Sequence, residues 1–215
     1  MDFRVIYDKI MLMSEIMPEK LTSQDEEAEP KKPDSAAEDD LTGLPTRAPF
    51  ESALNLLIKG RKAGKVLLVM FLDLNYFKEV NDKLGHGVGD DLLIAVANVL
   101  KEEPGIVCRN GGDEFTLARE GEALDGESVV LVVEGIRAKI NEALRDVEAL
   151  RDAKFREVTV AIGCAVSRGE GKSRKDLMKE ADLEMYADKR KQKATEPVTA
   201  QKLEKVLYPS GNSNN

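Results

Sequence analysis

Seven consecutive apolar residues, Val66-Leu67-Leu68-Val69-Met70-Phe71-Leu72, end abruptly at Asp73. The run does not alternate, so neither face of a strand built from it can meet water. It is far shorter than the ~18 apolar residues of a membrane span. Its length and branched side chains suit a strand covered on both faces. The chain must therefore supply helices for two layers around a central sheet, and a carboxylate must sit at that strand's C-terminal end.

The remaining pattern supplies those layers. A helix follows Pro45 and uses Phe50, Leu54, Leu57 and Ile58. A second helix is expected from about Asp90 to Leu100. A hairpin comes next, with Ile106-Val107-Cys108, a turn at Asn110-Gly111-Gly112, then Phe115-Thr116-Leu117. A long helix from about Ser128 to Leu144 carries Val129, Val132, Val133, Ile136, Ile140 and Leu144 on one face. A strand from about Val158 to Val166 precedes a last helix that starts near Ser173 with Leu177, Ala181, Met185 and Tyr186. The order β-α-β-β-α-β predicts an α/β (α+β) domain of ferredoxin-like, palm-type architecture. Helices are expected to pack on a mixed sheet whose outer pairs are parallel through the strand-helix crossovers.

Outside this domain, residues 1–17 place Phe3, Ile6, Ile10, Met13 and Met17 on one seam of a short amphipathic helix. That helix either packs on its own domain or promotes dimerisation. Residues 18–39 read as an acidic flexible linker with almost nothing to bury. The compact domain is expected at 40–193, and 194–215 reads as a frayed tail.

Net charge is −8, and the stretch 18–40 alone holds nine acids against three bases. The domain itself is near neutral, so no broad nucleic-acid footprint is expected, though positive charge could gather in one pocket. Cys108 and Cys164 lie among β-branched residues and read as buried strand positions, not a disulfide framework. Asp2, Arg4, Asp8 and Lys9 interrupt any signal-peptide core. The expectation is a cytoplasmic protein with no membrane partner.

Three groups of residues carry chemistry. Asp73-Leu74-Asn75-Tyr76-Phe77-Lys78 ends the buried strand, at the rim where open α/β sheets bind ligands. The helix that follows offers unpaired N–H groups that attract phosphate, and Lys78 adds charge. The bland reading is a strand-loop-helix junction with a solvated Asp. Gly111-Gly112-Asp113-Glu114-Phe115 forms the hairpin turn, where glycines allow positive φ and close backbone approach. On a strand, adjacent residues face opposite sides, so one of Asp113 and Glu114 should face the site with Asp73 and the other point elsewhere. Two converging carboxylates suit Mg²⁺, which favours a few carboxylates plus substrate phosphates. The bland reading is a Gly-rich hairpin with solubilising acids. The third group is Asn81-Asp82-Lys83-Leu84-Gly85-His86-Gly87-Val88-Gly89-Asp90. It reads as a glycine turn before a helix with Asp90 as its N-terminal acid. His86, the only histidine, has no partners for a metal site and reads as a turn residue.

Taken together, these pieces resemble the GGDEF family of diguanylate cyclases. The matching residues are Asp40-Leu41-Thr42-Gly43-Leu44 with Arg47, Asp73 to Lys78, Asn81-Asp82, Gly85-His86, Gly89-Asp90 and Gly111 to Phe115. Val158 to Gly163, and Ala181-Asp182 with Tyr186 and Lys189, continue the match, which spans about 39–193. The resemblance implies that Asp73 and Asp113 are side-chain metal ligands and that Leu74 offers a backbone carbonyl. It places Tyr76, Phe77 and Lys78 in a phosphate-binding loop, Asn81 and Asp90 on the guanine base, and Lys189 and Lys193 on the triphosphate. Glu114 is implied in catalysis. The implied metal is Mg²⁺, with Mn²⁺ as an alternative. The implied reaction joins two GTP into cyclic di-GMP at the interface of a homodimer.

The chain departs from the family pattern in places. Asn75 replaces a frequent Asp, Thr46 stands where Asn is frequent, and Lys193 replaces an Arg, losing a bidentate fork. The family's product-inhibition motif would place Arg at 102 and Asp at 105. The chain has Glu102 and Gly105, so that site is expected to be absent. Two other readings remain at this stage: a catalytically silent domain that binds GTP or a protein partner, and a cyclase making another cyclic dinucleotide. A carboxylate at Asp90 argues against the latter, because it pairs with a donor pair that adenine lacks.

Overall fold

The computed structural model describes residues 37–61, 64–122, 125–152, 157–169 and 171–195. The seam at 1–17, the linker up to residue 36 and the tail from 196 lie outside the described residues.

The elements, in chain order, are α1 (Arg47–Gly60), β1 (Val66–Leu74), α2 (Phe77–Leu84), α3 (His86–Glu102), β2 (Ile106–Gly111), β3 (Glu114–Gly121), α4 (Gly126–Arg145), α5 (Glu148–Asp152), β4 (Val160–Ser167) and α6 (Arg174–Thr195). The sheet order is β2-β3-β1-β4. The ferredoxin-like arrangement is as expected, but the sheet is not mixed. Each neighbouring pair is antiparallel. The reason is the splitting of each crossover unit. Strands joined through helices run the same way, yet β3 lies between β1 and β2, and β1 lies between β3 and β4.

Every residue of β1 is buried. Its two faces feed two cores. Leu68, Met70, Leu72 and Leu74 pack with α3 and α4 residues such as Leu92, Val96, Ile136 and Ile140. Leu67, Val69 and Phe71 pack with Phe50 and Leu54 of α1 and with Leu177, Ala181 and Met185 of α6. The strict alternation of these two sets is the period-two geometry of a strand. It assigns Asp73, an odd-numbered residue, to the face covered by α6.

Gly163 on β4 sets how closely α6 approaches. A Cβ there would fall 1.9 Å from the Met185 backbone N and 2.2 Å from the Ala181 carbonyl. Only glycine allows the helix backbone to rest on the strand.

One helix start differs from the sequence expectation. The helix expected from Asp90 starts at His86, with Gly85 as its N-cap at φ 91°. His86 is therefore the first residue of a helix, not part of a turn. Gly87 and Gly89 hide this start in the sequence because glycine weakens the helical signal. The domain also reaches into the linker: Ala37 O accepts from Thr46 N at 3.0 Å, and Asp39 is tied by hydrogen bonds described below.

Candidate active site at the end of the central strand

The site grows from the junction of β1 and α2. Asp73 is the last residue but one of β1 and is only 8% exposed. The chain then turns sharply. Tyr76 takes the left-handed conformation at φ 67°, unlike any other non-glycine among the described residues, and serves as the N-cap of α2. A bulky residue held there is strained by about 1–3 kcal/mol, which the surrounding structure must offset. The turn presents the first N–H groups of α2, with Phe77 and the exposed Lys78, at the rim beside Asp73.

The hairpin turn arrives from the neighbouring strand. Glu114 is the first residue of β3 and lies directly opposite Asp73 in the ladder. Opposed residues of an antiparallel pair share a face. Asp113 is not on the strand at all; it sits in the turn with Gly112. The alternation expected of Asp113 and Glu114 therefore does not apply, and both carboxylates gather with Asp73. Burial first, then the charge of Asp73, raises the Asp113 carboxyl above its ordinary range. Burial likewise raises Glu114, with further contributions from the charges of Asp73, Asp113 and Asp182.

Cations oppose this negative charge, Lys189 at all three carboxylates and Arg109 at Asp113. Lys189 of α6 donates from Nζ to Asp73 Oδ1. Four residues on, Lys193 holds its ammonium 6.0 Å from the centre of the Tyr76 ring. Among the described residues, no three His, Cys, Asp or Glu side chains close around one point as a complete metal cage. The donor set still fits Mg²⁺, which is commonly held by one or two carboxylates together with substrate phosphates. The ammonium on Asp73 stands where a cation is attracted.

Asn81 and Asp90 come from consecutive helices that pack together, α2 and α3. Asn81 Oδ1 is buried and has no protein partner. It lies over Gly89, where a Cβ would fall 2.0 Å away. Gly89 thus leaves room for the Asn81 carboxamide beside Asp90, which is exposed. At Gly105, φ is +128° and a Cβ would fall 2.3 Å from the Ala118 carbonyl. That position cannot take an Asp without moving the backbone.

Some contacts escaped the sequence reading. Arg109 donates from Nη1 to Asp39 Oδ1 at 2.9 Å and Oδ2 at 3.0 Å. Its Nε and Nη2 donate to the Gly112 carbonyl at 3.1 and 2.8 Å. One guanidinium thereby clamps the double-glycine turn to the entry of the domain. Asp39 Oδ1 also accepts from Thr42 N and Oγ1 at 2.9 and 2.6 Å. Burial alone would raise Asp39, but these bonds from Thr42 and Arg109 hold it below its ordinary value. Asp188 and Gln192 were missed too, although they continue the buried stripe of Leu177, Ala181 and Met185 at helical spacing. Cys108 is buried as expected, whereas Cys164 is only half-buried; burial pushes each thiol up to about 12. Among the described residues no helix is long and apolar enough to cross a membrane.

Comparison with known proteins places this geometry. The family model described as "Diguanylate cyclase, GGDEF domain" matches residues 36–195. Diguanylate cyclase TpbB of Pseudomonas aeruginosa is 33% identical over 159 residues, which is 72% of this chain and 35% of that protein. Cyclic di-GMP phosphodiesterase NbdA of the same organism is 33% identical over 155 residues, 70% of this chain and 19% of that protein. The chain thus spans about a third or less of the length of these relatives. The crystal structure of the GGDEF domain of DgcB from Caulobacter crescentus, in complex with c-di-GMP, superposes with a TM-score of 0.59 at 30% identity. It covers 73% of this chain and 92% of that one. With the family model matching three quarters of its length, the chain belongs to the GGDEF domain family.

Proposed function

We propose that the chain is a diguanylate cyclase, a signalling nucleotidyltransferase of the cytoplasm that converts two GTP into cyclic di-GMP and two pyrophosphates. The observation that carries this reading is the convergence of Asp73, Asp113 and Glu114 on one strand end, with Lys189 against them. Such a site combines a cation-binding carboxylate group with a phosphate-binding rim. Family membership supports the same activity.

Each residue then has a task. Asn81 and Asp90 hydrogen-bond the guanine edge. The N–H groups of the Tyr76-Phe77-Lys78 turn take the phosphates, and Lys189 and Lys193 offset their charge. Asp73, Asp113 and the Leu74 carbonyl would hold Mg²⁺, or Mn²⁺ in its place. Bound there, the cation supplies Lewis acidity for the attacking 3′-oxygen and offsets charge on the departing pyrophosphate. The bond formed joins the 3′-oxygen to the α-phosphorus, and the bond broken releases pyrophosphate. The 3′-hydroxyl proton passes to Glu114, whose raised carboxyl is a better base than an ordinary glutamate.

Each site holds one GTP and the product contains two nucleotides, so two chains must meet face to face about a two-fold axis. The rate per enzyme should then rise with protein concentration. No product feedback is proposed at Glu102 and Gly105. The charge of Glu102 repels phosphate, and the crowding at Gly105 leaves no room for an acidic partner.

A second reading is a silent domain that binds GTP without turnover, because a relative of equal similarity is named a phosphodiesterase. One experiment separates them. Purified protein is incubated with Mg²⁺ and GTP, ATP or both, and the products are separated. Cyclic di-GMP from GTP alone supports the cyclase. GTP binding without product supports the silent domain, and a mixed dinucleotide would overturn the assignment of Asp90.

A further inference from the structure

Behind the proposed phosphate site lies a chain of side-chain amides and charges that the reaction itself does not use. Asn75 is fully buried, two residues beyond Asp73. Its Nδ2 donates to Gln192 Oε1 at 2.7 Å and to Thr159 Oγ1 at 3.0 Å. Gln192 Nε2 donates in turn to Asp188 Oδ2 at 2.9 Å and to the Val160 carbonyl at 3.1 Å. Asp188 Oδ2 also accepts from the Ile162 N–H at 2.9 Å and from Arg137 Nη1 at 2.8 Å.

The direction of these bonds is determined by chemistry. The Val160 carbonyl and the Asp188 carboxylate only accept, so Gln192 must present its NH₂ to them. Its oxygen is then turned to Asn75, which must present its own NH₂. Asn75 and Gln192 are a matched pair: a carboxylate at position 75 would face the Gln192 oxygen, acceptor against acceptor.

The pair joins two parts of the site. Asn75 lies in the turn that ends β1, between Asp73 and Tyr76. Gln192 lies on α6 between Lys189, which touches Asp73, and Lys193, which lies near Tyr76. We propose that Gln192, through Asn75, is a positioning residue that locks the last turns of α6 to the end of β1. It thereby holds Lys189 and Lys193 where phosphate oxygens bind. A lysine has long rotamer freedom, and a fixed helix register narrows where its ammonium can go.

This rests on the phosphate-binding reading of Lys189 and Lys193 above. Its test therefore uses a probe that needs neither base recognition nor turnover: inorganic tripolyphosphate with Mg²⁺, measured by calorimetry on the full chain. Low ionic strength keeps weaker variants in range. Gln192→Ala should weaken binding about fivefold to tenfold, the scale of one misplaced charge-assisted contact. In a background with both Lys189→Ala and Lys193→Ala the same change should cost less than about twofold, because residues acting through one another are non-additive. Asn75→Ala, which removes the donor without adding charge beside the phosphate site, should reproduce the loss when Gln192 is present and add nothing when it is Ala, which keeps the test valid if one variant folds poorly. Binding of Gln192→Ala equal to wild type overturns the proposal, as does an equal loss with and without the two lysines. Product formation by the wild type is scored separately. An inactive chain that shows this coupling refutes the cyclase and leaves the positioning role standing. An active chain without it refutes the positioning role alone.

Discussion

Gly163→Ala is a small change with a computable consequence. The added Cβ would lie 1.9 Å from Met185 N, 2.2 Å from Ala181 O and 2.6 Å from Glu184 C, all backbone atoms of α6. Ordinary van der Waals contact begins near 3.4 Å. Strand and helix must therefore separate by about 1.5 Å, since no flexible side chain can give way. Overpacking of this kind costs about 1–3 kcal/mol. For a domain of this size that lowers Tm by roughly 2–12 °C, at about 2–4 °C per kcal/mol. The same displacement carries Lys189 away from Asp73, and a 1 Å misplacement can cost ~10²-fold in rate. We expect kcat/KM for GTP to fall between about tenfold and a hundredfold. Thermal unfolding followed by circular dichroism and initial rates of product formation read the two effects. Gly135→Ala on α4 is the control. Nothing lies within 4 Å of a Cβ there, so it should stabilise by about 0.5–1 kcal/mol. A Gly163→Ala protein with wild-type Tm and rate would refute the claim that direct helix-on-strand contact positions Lys189.

The other predictions concern charge and access. Asp113 has a raised carboxyl, so its contribution to stability is full below its ordinary value of 3.8 and is lost as pH rises through the folded value. Asp113→Asn should therefore melt higher than wild type at pH 7, with the gap closing as pH falls towards 4, while turnover drops about a thousandfold. Asp39 is the opposite case: its lowered carboxyl stabilises above 3.8 and the benefit is lost as pH falls through the folded value. Asp39→Asn should lower Tm at pH 7 and match wild type in strong acid, read by melts across a pH series. Gly89→Ala should push the Asn81 carboxamide aside, raising KM for GTP by about tenfold with little change in Tm, because a side chain and not backbone must yield. Cys108 should resist iodoacetamide at pH 8 in the folded protein and react on unfolding, since its thiol titrates only near 12.

The seven-residue apolar run was enough to require two covering layers, because a strand without alternation has no face for water. The paired glycines before Asp113, and Asp73 at the strand end, were equally legible, since each lies in a contiguous motif whose residue types restrict backbone and charge. Sheet direction was not legible. Parallel crossovers imply parallel neighbours only if no strand inserts between them, and insertion is a long-range choice. The relation of Asp113 to Glu114 depended on where the ladder stops: one residue of turn cancels the alternation that a strand would impose. Lys189, Asp188 and Gln192 belong to a helix far along the chain from Asp73. Whether they solvate an exposed face or build the site was decided by Gly163, which lets α6 settle on β4 and bring its polar end against the turn after β1. Local sequence determines what each segment can be, through sterics and burial acting over a few residues. Which charges become neighbours is determined by packing distance and register, and these exist only once the layers close.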